Sequence, residues 1–250
     1  MADVANANYI FASLFTGVYD VNRNELLNAN DFSIIEKWYN SILKLQLNAI
    51  VFHNTFSDEL VQHFTTDKIQ FVKVEYDGKL NPNIFRYIIY QQFLKSNLLK
   101  IDNLFMTDIT DVEVLQNPFN MSYYLENTDC LFCGDEPETM DTIWMKNHCE
   151  HLRNSITDFV DFENANKHKT LLNCGVIGGT HQVILSLLDK MVAIHQQYSY
   201  SNRTPYTLDM GVFNYVARKT FGNTIRHGNP INTIFKMYEH YSANCWFRHK

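Results

Sequence analysis

No apolar run in this sequence approaches the roughly 18 residues of a bilayer-crossing helix. The amino terminus, Met-Ala-Asp-Val-Ala-Asn-Ala-Asn, lacks the basic start and apolar stretch of a secretory signal. Together these absences lead us to expect a soluble, cytoplasmic protein. An excess of positive charge is missing too: 21 basic residues are scattered among 27 acidic ones, for a net charge of -6. That balance argues against a nucleic-acid partner held by a basic surface. The five cysteines, Cys130, Cys133, Cys149, Cys174 and Cys245, are odd in number and irregularly spaced, and read as reduced thiols rather than a disulfide framework. Cys130 and Cys133 form a lone C-x-x-C inside an apolar, strand-like run, which favours buried structural thiols over a zinc site. No H-E-x-x-H, Walker motif or G-x-G-x-x-G occurs, so zinc-hydrolase, P-loop and dinucleotide readings lack support. Repeats, low-complexity tracts and linker-like shifts are also absent.

What is present is a core. Of the 250 residues 46% are hydrophobic, enough for one large domain. Residues 9–14, 49–52 and 71–76 read as short strands, separated by helical patterns at 32–44 and 58–64. A further helix runs over 82–96, started by Pro82 where proline is tolerated. Strand alternating with helix predicts an α/β fold with a mostly parallel central sheet.

The central stretch is Asn103-Leu-Phe-Met-Thr-Asp108-Ile-Thr-Asp111. Its apolar run stops at Thr107 and Asp108, where a parallel strand would leave the core. The carboxylates of Asp108 and Asp111 are three apart and would face opposite ways on a strand, so the chain must turn at Ile109-Thr110 for both to serve one site. Two hard oxygen ligands at a strand's carboxyl end suit Mg²⁺ or Mn²⁺. The plainer alternative is a strand-end turn with solvated acids.

Other features are weaker. The loop after the first strand carries Thr16, Gly17, Tyr19 and Arg23, which could stack on and hydrogen-bond a base or simply lie at the surface. Arg86 and Tyr90 share a helix face that points either to a strand-end pocket or, for Arg86, to a surface acid. Residues 130–137 read as a strand ending in Asp135 and Glu136. The polar, weakly periodic stretch 138–170 reads as a mobile or partly helical insertion. Glycines bracket the apolar strand 171–179, so the backbone there must bend or let something approach closely. Asp209 stands near the start of a further helix, and His227 sits in a turn where a lone histidine is commonly a bystander.

In order, Phe15-Thr-Gly-x-Tyr-Asp-x-Asn-Arg23, the helix with Arg86 and Tyr90, Thr107-Asp-Ile-Thr-Asp-Val112 followed by Asn117-Pro-Phe, Asn173-Cys-Gly-Val-Ile-Gly-Gly179, Leu208-Asp-Met-Gly-x-Phe-Asn214 and His227-Gly-Asn-Pro-Ile-Asn232 make this chain similar to a GT-A-fold, nucleotide-sugar-dependent glycosyltransferase. The resemblance covers about residues 9–235. It implies a single Rossmann-like domain with helices flanking the sheet, a nucleotide-binding half over about 9–115 and an acceptor-binding half over about 116–250. It also implies Mn²⁺ or Mg²⁺ held by Asp108 and Asp111, a variant of the usual Asp-x-Asp motif, and closed by a late histidine, here His227. Thr16, Tyr19, Arg23, Arg86, Thr107, Asp108, Asn173 and Gly175 would line the nucleotide-sugar site, with Asp209 and Glu136 as catalytic carboxylates. Uridine as the base follows from family frequency alone, and the late histidine leans toward retaining chemistry. The acceptor is a glycan, a lipid-linked sugar or a protein. Rival readings are a sugar nucleotidylyltransferase, whose Gly-rich amino-terminal phosphate loop is missing here, and a catalytically inactive sugar- or protein-binding module.

Overall fold

The computed structural model describes residues 7–17, 19–20, 25–199, 209–235 and 244–249. It opens with β1 (Asn8–Leu14) and a small hairpin of β2 (Tyr19–Asp20) and β3 (Glu25–Leu26). There follow α1 (Glu36–Lys44), β4 (Asn48–His53), α2 (Asp58–Phe64), β5 (Ile69–Lys73), α3 (Pro82–Ser96) and β6 (Asn103–Thr107). Helix α3 has the bounds its sequence predicts. Pro82 occupies its first turn, the Asn81 side chain accepts a 2.9 Å hydrogen bond from the Asn83 N–H, and Asn97 ends it in the left-handed conformation. Beyond β6 come β7 (Val112–Val114), α4 (Ser122–Leu125), β8 (Leu131–Thr139), the short helices α5 (Ile143–His148), α6 (Glu150–Ser155) and α7 (Phe159–Asn166), then β9 (Thr170–Thr180), α8 (His181–Tyr198), α9 (Asp209–Phe221), β10 (Ile225–His227) and β11 (Phe247–His249).

Seven strands form one sheet in the order β10-β8-β9-β6-β1-β4-β5. The run β6-β1-β4-β5 is parallel, β10 is parallel to β8, and β9 runs antiparallel to both its neighbours. The expected α/β architecture with a mostly parallel sheet is therefore present, with a reversal at β9 that the sequence does not announce. Successive residues of the central strands face opposite layers. Phe11, Leu104 and Met106 enter the core that includes residues of α3, α8 and α9, whereas Ile10, Ala12 and Phe105 enter the core that includes residues of α1. All five cysteines are buried.

Residues 138–170, read as a mobile or partly helical insertion, are partly helical. They form the end of β8, α5–α7 and the start of β9, and Met145, Cys149, Leu152 and Phe159 are buried in the same core as α9. A β-carbon on Gly211 would lie 2.9 Å from Cys149 Sγ, so α9 and this segment are in close contact. Helices of six to eight residues are too short for a 3.6-residue pattern to register in sequence.

Chain order fixes where a ligand can sit. From β1 the chain moves outward to β4 and β5, then returns to the other side of β1 as β6. Strand order reverses between β1 and β6, and a crevice at their carboxyl ends is where open α/β sheets bind ligands. Thr16 and Asp108 lie just beyond those two ends.

Candidate metal centre at the end of the central strand

Asp108 and Asp111 flank the turn between β6 and β7, and each brings a carboxylate oxygen to His249, so that one donor atom from each of the three lies within 4.8 Å of the others. His249 Nε2 is 3.9 Å from Asp108 Oδ2 and 3.9 Å from Asp111 Oδ2. The imidazole is buried while both acids are partly exposed, so the ring is fixed by packing and the carboxylates face the opening.

His249 is delivered by strand pairing. β11 pairs antiparallel with β7, setting His249 opposite Val112, next to Asp111. The turn after β10 braces the other side of β11: Phe247 N–H donates to Ile231 O at 3.0 Å, Thr233 N–H to Phe247 O at 3.0 Å, and His249 N–H to Thr233 Oγ1 at 3.1 Å. Gly175 then makes room for the ring. A β-carbon there would stand 2.6 Å from His249 Nε2. At Gly178, similarly, a β-carbon would stand 2.5 Å from Phe105 Cγ, so two of the three glycines of this strand admit a ring.

Arg86, buried on α3, orients the group. Its Nη1 pairs with Asp108 Oδ1, leaving Oδ2 as the oxygen toward His249, and its Nη2 lies 3.4 Å from Asp209 Oδ2 and donates to the Tyr87 hydroxyl at 3.0 Å. Such outer contacts fix a ligand's direction. Asp108 N–H donates to Gly175 O at 2.8 Å, Gly175 N–H to Asn173 Oδ1 at 2.6 Å, and Asn173 Nδ2 to Glu136 Oε1 at 2.8 Å. Asp108, Arg86, Asp209, Gly175, Asn173 and Glu136 thus form one connected set.

Thr107 is buried, and its hydroxyl accepts from Trp38 Nε1 at 2.8 Å. Thr16 N–H donates to Asn54 Oδ1 at 3.0 Å, Asn54 Nδ2 donates back to Thr16 O at 2.9 Å, and the Thr16 and Thr55 hydroxyls pair, tying the loop after β1 to that after β4. Arg23 lies outside the described residues, as does the side chain of Tyr19. Tyr90 packs between Phe11 and Phe52 in the core, at 5.7 and 5.3 Å between ring centroids.

His227 is brought to a different partner. It lies on β10, with Nδ1 2.9 Å from Asp135 Oδ2. Among the described residues the imidazole grouped with the two acids is that of His249, which the sequence reading did not single out. Nothing in Cys-Trp-Phe-Arg-His marks its last residue as a ligand, since its place depends on a three-residue pairing with β7.

Fold and site together define an α/β protein with a candidate divalent-cation centre at a strand-order reversal. No protein-family model matches the chain, and no curated protein matches it in sequence.

Proposed function

We propose that this protein is a metal-dependent glycosyltransferase that moves a sugar from a nucleoside diphosphate sugar to a hydroxyl acceptor. The observation that carries the reading is the convergence of Asp108, Asp111 and His249 just beyond the carboxyl end of β6, where β1 and β6 open a crevice. Two carboxylates and one imidazole fit Mn²⁺ or Mg²⁺, and the nitrogen donor tilts the choice toward Mn²⁺. When bound, the ion would supply Lewis-acid neutralisation of charge on a departing diphosphate.

The residues around it suit the remaining tasks. Thr16 and Thr107 are buried at the ends of β1 and β6, with hydroxyls held by Thr55 and Trp38, and Arg86 adds a fixed cation that holds Asp108 in place. In the transfer a bond forms between the acceptor oxygen and the anomeric carbon, the bond from that carbon to the phosphate oxygen breaks, and the nucleoside diphosphate leaves. The hydroxyl's proton passes to a carboxylate if configuration inverts or to the leaving phosphate if it is retained. Glu136, positioned by Asn173, supports the first role better than Asp209, which lies buried against Arg86.

The test is a screen of nucleotide sugars for slow Mn²⁺-dependent hydrolysis by wild type, Asp108→Ala, His249→Ala and His227→Ala. Expected is a fall of at least about a hundredfold in the first two variants, the scale of losing one electrostatic partner of a reacting oxygen, and near-native turnover in the third. Equal turnover in Asp108→Ala and wild type would overturn the reading. A sugar- or protein-binding module would instead hydrolyse no donor.

A further inference from the structure

Helix α5, which follows β8, has two unlike faces. Met145 and His148 are buried, whereas Ile143 is 78% exposed and Trp144 45%. No other large apolar side chain among the described residues is as exposed as Ile143. Trp144 is held rather than loose: its ring lies on that of His148, 3.6 Å between centroids, and His148 Nδ1 donates to Trp144 O at 2.7 Å. A fixed indole, apolar in body and polar at its N–H, is the side chain that favours the boundary between lipid and water.

The surroundings of this pair are basic. Met140 N–H donates to Lys169 O at 3.1 Å and Thr139 pairs with Thr170, so the turn after α7 lies beside the entry to α5. In that turn Lys167, His168 and Lys169 are exposed and make no ion pair with a described residue. Lys146, also exposed, reaches Asp141 at 2.6 Å. It holds that carboxyl below its ordinary value, with smaller effects in the same direction from Lys167 and His168, so the three basic groups surround one acid. Residues 138–147 and 167–170 together carry three lysines and a histidine against Glu138 and Asp141, in a chain whose net charge is -6. An anionic surface therefore attracts this face and repels the rest of the protein, which sets the orientation of approach.

The rim also separates the kinds of partner. Lysine is depleted in protein–protein interfaces. Beside a bilayer its stem lies along apolar surface while the ammonium stays among the phosphates. We propose that Ile143, Trp144 and the lysines around them dock this protein reversibly on a bilayer that contains anionic lipids. β8 runs parallel to β6 through the antiparallel β9, so the docking face stands off the same edge of the sheet as Asp108. The docking does not depend on the transferase reading.

Trp38 and Trp246 are buried, so of the three tryptophans Trp144 is the one whose solvent changes on docking. The experiment is tryptophan fluorescence and flotation of the full chain with vesicles of phosphatidylcholine alone, of an equal mixture of phosphatidylcholine and phosphatidylserine, and of that mixture with brominated acyl chains. It is repeated on Ile143→Ser, which keeps the fluorescent reporter, and on Lys167→Ala with Lys169→Ala. All three substitutions fall on exposed side chains, and a thermal melt checks that the variants fold. Expected with the phosphatidylserine vesicles are flotation, blue-shifted emission and quenching by bromine. Binding should be about tenfold weaker in Ile143→Ser and about fivefold weaker for each lysine removed. No flotation and no shift with these vesicles, or binding unchanged in both variants, would overturn the docking face. Equal binding to vesicles of phosphatidylcholine alone would overturn the role of the lysines. A dimer in light scattering that Ile143→Ser dissolves, in a protein that binds no vesicle, would give the face to a second copy of this chain and overturn the bilayer.

Discussion

The Gly175 α-carbon and the His249 imidazole are in such close approach that no side chain fits between them, the nearest ring nitrogen lying 2.6 Å from where a β-carbon would be. Gly175→Ala must therefore push the ring away from the two acids or distort β9. Overpacking of this kind costs about 1–3 kcal/mol, and at this chain length each 1 kcal/mol shifts Tm by about 2–4 °C. The expected outcome is a modestly lowered Tm with Mn²⁺ affinity reduced at least about tenfold, measured by thermal melts and metal titration. Native metal affinity in a folded Gly175→Ala protein would show that His249 is not a ligand.

The cation itself should stabilise the fold. A ligand that binds only the native state at about 100 times its Kd adds about 2.7 kcal/mol. Mn²⁺ is expected to raise the wild-type Tm, and Asp108→Asn, Asp111→Asn and His249→Gln should each remove most of that rise. His227→Gln, whose partner is Asp135, should keep it. Differential scanning fluorimetry with and without chelator provides the comparison.

Arg86 joins two acids inside the protein, and its side chain and that of Asp209 are both over nine-tenths buried. Removing one partner of a buried pair costs about 3–5 kcal/mol, whereas replacing both by apolar groups is often near neutral. Arg86→Met should therefore lose about 3 kcal/mol or more in denaturant melts, and Arg86→Met with Asp209→Leu should recover much of it. If the double variant is no more stable than the single, the Asp108 contact is the one that matters for stability.

His195 gives the protein an acid-sensitive point. Burial, with a smaller effect from His151, lowers its pKa from 6.5 to about 3, and its Nδ1 lies 3.0 Å from Ser199 Oγ. The unfolded chain takes up a proton below about pH 6.5 while the native ring stays neutral, so stability is full above that pH and falls as pH drops toward 3. The slope is at most about 1.4 kcal/mol per pH unit. Tm should decline between pH 7 and 5, and His195→Leu should flatten the decline. An unchanged slope in that variant would assign the acid sensitivity to other groups.

Much of this architecture is written locally. Pro82 and Asn97 bound α3, the stop at Thr107-Asp108 marks the end of the central strand, and the glycines of β9 announce close approaches that prove to be the rings of His249 and Phe105. What local pattern does not encode is pairing. The reversal of β9, the packing of α5–α7 and the pairing of β11 with β7 depend on contacts between distant segments. His227 ends the strand before the more conspicuous turn, yet that turn's part near the two acids is to brace the strand that carries another histidine.

The short ladder between β7 and β11 ties the first and last of the three donors into a single cooperative event. A peptide cut from around Asp108 would hold the carboxylates without their imidazole. Ion capture would consequently report completion of the tertiary structure, and during refolding a manganese-dependent signal should emerge only once the late strand has docked.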